Sequence, residues 1–141
     1  MNTQRQNRMD IAPQILIVAG LIVLMYGFLL GIPMARARKK ASRAPRYLIA
    51  AHLAALIQGS ILLALTVAFD FSMLASWIET LIASLFTGGV LLFDLGLTIN
   101  WLQGSEDAFA ERSLGYKVSS SGTPLILVSA GILVYGVLMA L

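Results

Sequence analysis

Residues 11–35 read IAPQILIVAGLIVLMYGFLLGIPMA, twenty-five consecutive positions without a charged side chain. A hydrocarbon core about 30 Å thick is crossed by roughly 20 residues of apolar helix, so this stretch is long enough to span a bilayer. Three further stretches have the same character. Residues 47–69 contain one ionisable side chain, His52. Residues 71–105 contain only Glu79 and Asp94, and residues 118–141 carry no charge, with the apolar run starting at Pro124. The runs are rich in Leu, Ala and Ile and lack two-residue alternation, which argues for helices rather than barrel strands. The expected fold is all-α, an integral membrane four-helix bundle forming one domain over residues 1–141. Its expected spans are about 12–33, 47–69, 73–102 and 124–141.

Composition points the same way. Of 141 residues, 58% are apolar and 12% charged, against roughly 25% charged in a soluble domain. Mean hydropathy is +0.83. So small a soluble protein has a large surface to cover with polar groups, and too few are present. An ordinary soluble enzyme and a disordered chain are both excluded. The absence of cysteine removes disulfide scaffolds, thiolate metal sites, iron–sulfur clusters and cysteine nucleophiles. The first apolar run is longer than the core of a cleavable signal peptide and is followed by a basic segment, so it reads as a retained span.

Charge sets the expected orientation. The loop at 34–46 carries Arg36, Arg38, Lys39, Lys40, Arg43 and Arg46, and the loop at 103–123 adds Arg112 and Lys117. The opposite side has only Arg5 and Arg8. Basic loops stay in the cytoplasm, so both loops are expected there, with both termini outside; the expected location is a bacterial inner membrane. Membrane lipid is the expected partner of the basic loop, through anionic head groups. Nucleic acid is not, because the stretch is short, anchored at both ends and without interleaved aromatics. Gly27 and Gly31 form a G-x-x-x-G spacing, read as close packing within the bundle.

Ionisable groups inside a span cost roughly 2.5–3.5 kcal/mol each on insertion scales and default to functional candidates. His52 is the sole histidine. One imidazole cannot build a zinc site, but it suffices as an axial ligand to haem iron, whose porphyrin supplies the other four nitrogens; the competing role is an interfacial histidine bonded to a carbonyl. Gly59, seven residues on, returns to within about 20° of the His52 face and would let a flat macrocycle lie against the helix. Gln58 lies on the flank, about 120° away. Asp94 lies deep in the third span, with Thr98 and Trp101 on its face and Asn100 nearer the loop; it is expected to be protonated or paired with a donor such as Gln58 or Arg112. Glu79, beside Trp77, is expected to face water or head groups. Tyr47 and Trp77 read as interfacial belt aromatics, while Tyr26 and Tyr135 lie deeper.

The stretch RYLIAAHLAALIQG (residues 46–59) resembles the second span of a family of small membrane proteins that includes hydroxylaminobenzene mutase and styrene oxide isomerase. That span opens with an Ala-His pair, here Ala51-His52, followed by an amide residue and glycine, here Gln58-Gly59 where Asn-Gly is commoner. Gly31-Ile32-Pro33, Asp94-Leu95-Gly96 and Glu111-Arg112-Ser113-Leu114-Gly115 resemble further family segments. The resemblance implies a redox-neutral isomerase or mutase acting on a small hydrophobic aryl substrate, with ferric haem b held by His52 in a homotrimer. It further implies Gly59 beside the cofactor, and Gln58, Asp94 and Asn100 as catalytic candidates. The isomerase branch carries a tyrosine about eight residues past the acid; Leu102 stands there, which favours the mutase branch. Two other classes remain open. In a small transporter or non-enzymatic membrane subunit, Glu79 and Asp94 would be coupling groups. A cytochrome b-type carrier would need a second axial histidine from another subunit.

Overall fold

The computed structural model describes residues 11–141; Arg5 and Arg8, counted above on the outer side, lie outside them. Four helices follow one another: α1 (Ile11–Lys40), α2 (Arg46–Asp70), α3 (Ser76–Leu102) and α4 (Leu114–Leu138). All four are long and apolar enough to cross a membrane. The protein is an all-α membrane four-helix bundle. Helix is the outcome that hydrocarbon imposes on such sequences, because each backbone N–H and C=O must be satisfied within the span.

Glycines bring the helices together in two antiparallel pairs. In the α1–α2 pair, Gly20 meets Gly59 and Leu63, Gly27 meets Ala55 and Leu56, and Gly31 faces His52. In the α3–α4 pair, Gly89 sits against Gly122 and Gly96 against Gly115. The glycines are seven residues apart on both helices, so both contacts fall on one seam. The shared core lies between the pairs and includes Leu16, Val23, Leu62, Ile82, Phe86, Val90 and Leu133.

The element boundaries differ from the sequence expectation in three places. First, α1 continues through Pro33 to Lys40, so 34–40 is helix rather than loop. Its Ala, Arg and Lys residues are good helix formers, and Arg38, Lys39 and Lys40 complement the negative end of the helix dipole. Second, α4 starts at Leu114, ten residues before Pro124, which lies inside the helix. The Ser113 hydroxyl caps it by accepting from the Tyr116 N–H at 3.0 Å, a start signal independent of hydropathy. Third, α3 begins at Ser76. The chain at 71–75 is docked by the Met73 N–H donating to the Gly136 carbonyl at 3.2 Å and by the Leu74 N–H donating to the buried Ser72 hydroxyl at 3.1 Å.

The remaining loop, 103–113, holds itself together. The Glu111 carboxylate accepts from the N–H groups of Glu106 and Asp107, and Asp107 Oδ1 accepts from those of Phe109 and Ala110. Tyr47 ties the loop to α2, its hydroxyl accepting from the Ala108 N–H at 2.8 Å. Arg112 has φ of 48°, a left-handed conformation costly for a side chain with a Cβ.

Candidate functional site

His52 occupies the α1–α2 seam, partly buried. Its Nδ1 lies 2.8 Å from the Gly27 carbonyl oxygen. A carbonyl only accepts, so Nδ1 carries the proton, and in the neutral ring Nε2 keeps its lone pair. The G-x-x-x-G of α1 explains why the ring fits. Gly27 turns bare backbone toward α2, and at Gly31 a Cβ would come 3.5 Å from the ring carbon Cε1. Leu30, Leu48 and Ala51 are buried close by, with Tyr26, Met34, Leu97 and Trp101 packed against them.

Asp94 is only 2% exposed. Among the described residues neither carboxyl oxygen has a hydrogen-bond partner, and Gln58 Oε1 is likewise buried and unpartnered. The expected pairing of Asp94 with Gln58 or Arg112 is therefore not formed. Its backbone carbonyl is engaged instead: the Thr98 hydroxyl donates to it at 2.9 Å. The Tyr26 and Thr98 hydroxyls share a further hydrogen bond. Since the only proton of Thr98 is already committed, Tyr26 is the donor. Tyr26 and Gly27 are consecutive, so one dipeptide of α1 reaches both the histidine on α2 and the Asp94 turn on α3.

The expectations for Gly59 and Glu79 need correction, and Asn100 has a structural partner. Gly59 does not line an open face: a Cβ there would sit 2.9 Å from the Leu24 backbone nitrogen and 3.0 Å from the Gly20 carbonyl oxygen. Helix α1 fills the space that a macrocycle would require. Asn100 is a clasp. It is almost fully buried, its Oδ1 accepts from the Ser113 hydroxyl at 2.6 Å, and it packs on Gly115, holding the end of α3 to the cap of α4. Glu79 is buried rather than facing water or head groups.

Among the aromatics, Trp77 is exposed as a belt residue would be, and Tyr135 points out of the bundle. Leu102 is 70% exposed, at the last residue of α3. Tyr26 and Thr98 are the members that the sequence alone did not bring together. Each was visible, as a deep aromatic and as a hydroxyl on the Asp94 face, but their contact crosses two helices.

The residues suit a haem at one position and not at the other. Nδ1 bonded to a carbonyl is the arrangement that orients a ligating imidazole and leaves Nε2 for the metal. No group of three or more His, Cys, Asp and Glu suited to a bare metal ion occurs among the described residues; a single-histidine haem site needs none. The lining cannot be Gly59. Leu56 and Ser60, four and eight residues past His52, line an open surface groove of about 500 Å³ with Ile57, Ile61 and Ala64. Each step of four turns the stripe by about 40°, so the groove drifts off the His52 face, and His52 is not among the residues that line it. No family model, curated protein or solved structure matches the chain.

Proposed function

We propose that this protein is a membrane-embedded isomerase or mutase that rearranges a small hydrophobic aryl substrate without net redox change, using ferric haem b held by His52. One observation supports the reading: the Nδ1 contact with the Gly27 carbonyl leaves Nε2 as the ring nitrogen able to ligate. The chemistry that ferric haem supplies when bound is Lewis acidity toward a substrate oxygen, weakening the adjacent C–O or N–O bond.

The chain's own residues do the rest. Apolar side chains around His52 keep water away, which protects a cationic centre from hydrolysis. Asp94 and Gln58 offer buried polar atoms with no internal partner, suited to holding the polar end of a substrate. Aryl hydroxylamines and aryl epoxides both partition into a bilayer. Hydroxylaminobenzene to aminophenol is the favoured conversion, because Leu102 replaces the tyrosine of the isomerase branch; epoxide to aldehyde is the alternative. A homotrimer is the assembly that the family resemblance implies. The basic segments at the His52 end belong on the cytoplasmic face of a bacterial inner membrane.

The first test is a visible spectrum of the detergent-purified chain, alone and with added hemin. A Soret band is expected with the native chain and is lost in His52→Ala. A colourless native chain that stays colourless with hemin overturns the reading. Given binding, hydroxylaminobenzene and styrene oxide separate the branches by their products. The buried, unpartnered Asp94 favours a second reading, a proton- or cation-coupled transporter. That reading requires flux in liposomes that Asp94→Asn abolishes.

A further inference from the structure

We propose that Tyr26 is the positioning residue of the histidine: its hydroxyl, bonded to Thr98, sets the rotation of α1 that aims the Gly27 carbonyl at His52 Nδ1, and so couples His52 to the Asp94 turn. The inference deepens the reading of His52 as a ligand and rests on it, but its geometry concerns this chain alone.

Successive residues of a helix point about 100° apart. The Tyr26 side chain is directed to α3, where its hydroxyl donates to Thr98. Gly27 has no side chain, and its carbonyl accepts from the imidazole of α2. The two interhelical hydrogen bonds of α1 at this depth thus leave from neighbouring residues toward different helices. Rotating α1 to relax one bond misaligns the other. The close contacts at Gly20 and Gly27 set how near α1 comes to α2, and the two hydrogen bonds add a directional constraint on its rotation. The α3 end of the link is itself fixed, since the Thr98 hydroxyl donates to the Asp94 carbonyl one turn earlier. The path from Asp94 to His52 runs through Thr98, Tyr26 and the Gly27 carbonyl. A phenylalanine would fill the same volume without making the link.

The test uses the single histidine of the chain. Labelling with ¹⁵N-histidine gives one imidazole, whose two nitrogen shifts report the tautomer without haem. The native chain in detergent is expected to show only the Nδ1–H form. Tyr26→Phe and Thr98→Val each remove one hydroxyl of the link. In both, the preference for Nδ1–H is expected to fall about tenfold, the size of effect that loss of one hydrogen bond produces, and the Nε2–H form appears. Thermal melting of the same samples identifies variants that have lost the fold, and Tyr26→Trp serves as a bulk control without a phenol. An unchanged Nδ1–H tautomer in both folded hydroxyl deletions overturns the role of Tyr26. An Nε2–H tautomer in the native chain instead overturns the ligand reading of His52, so the two failures are told apart.

Discussion

At the residue scale, the clearest division of labour separates Asn100 from the His52–Asp94 neighbourhood. The Asn100 side chain is occupied: Ser113 donates to it, and Ser113 in turn caps α4. Asn100→Ala leaves the partly buried Ser113 hydroxyl without its acceptor, which costs about 0.5–1.5 kcal/mol. The expected outcome is a lower melting temperature in detergent with turnover per folded molecule retained. Ser113→Ala in the same background is expected to add less than it does alone, because the two groups act as a pair. Lost turnover at an unchanged melting temperature would instead show Asn100 acting in catalysis. His52 and Asp94 were legible in the sequence because an ionisable group in an apolar run stands out on energetic grounds alone. Their partners were not. Periodicity within one span gives a face, but not the rotation and register that bring Gly27 to His52 and Tyr26 to Thr98. Gly59 shows the cost of that gap, since the His52 face at that depth is the one that α1 covers.

At the element scale, the spans were legible and their ends were not. Hydropathy marks where the chain is apolar, whereas a helix ends where its caps and backbone partners are. Ser113 therefore starts α4 within a polar stretch, and Lys40 ends α1 well past its apolar run. The glycines that zip α3 to α4 lie partly in that polar stretch, so Gly115 and Gly122 were not read as packing residues. Their role gives a sharp expectation. A Cβ at Gly96 would stand 2.5 Å from both the Gly115 carbonyl oxygen and the Ser119 nitrogen. Both contacts are backbone, which cannot rotate away as a side chain end would. Gly96→Ala must push the helices apart and is expected to destabilise by about 1–3 kcal/mol, the usual range for overpacking. Gly131→Ala is the matched control on α4: nothing lies within 4 Å of its added carbon. It is expected to be neutral or stabilising by up to about 1 kcal/mol through helix propensity. Melting both in one detergent separates close packing from a general intolerance of change at glycine.

At the scale of the whole molecule, four helices place the segments at 41–45 and 103–113 on one side and the connection at 71–75 on the other. The histidine lies toward the first side, near the start of α2, and shares that side with the eight basic residues from Arg36 to Lys117. The ordered loop at 103–113 reinforces this arrangement, because Tyr47 pins it to the same helix that carries His52. Basic segments resist translocation, so the His52 end is expected to face the cytoplasm. The chain has no cysteine, which makes the expectation directly measurable with single substitutions. Ser42→Cys and Ser105→Cys should resist a membrane-impermeant maleimide in intact spheroplasts and react in inverted vesicles, and Met73→Cys should do the reverse. Ser42 and Ser105 reporting opposite sides would break the four-span topology. The two agreeing with each other but reacting in spheroplasts would keep the bundle and reverse it, placing the basic end of the histidine site outside. Only the first pattern puts both the imidazole and the cationic cluster on the face where anionic lipid head groups attract basic side chains.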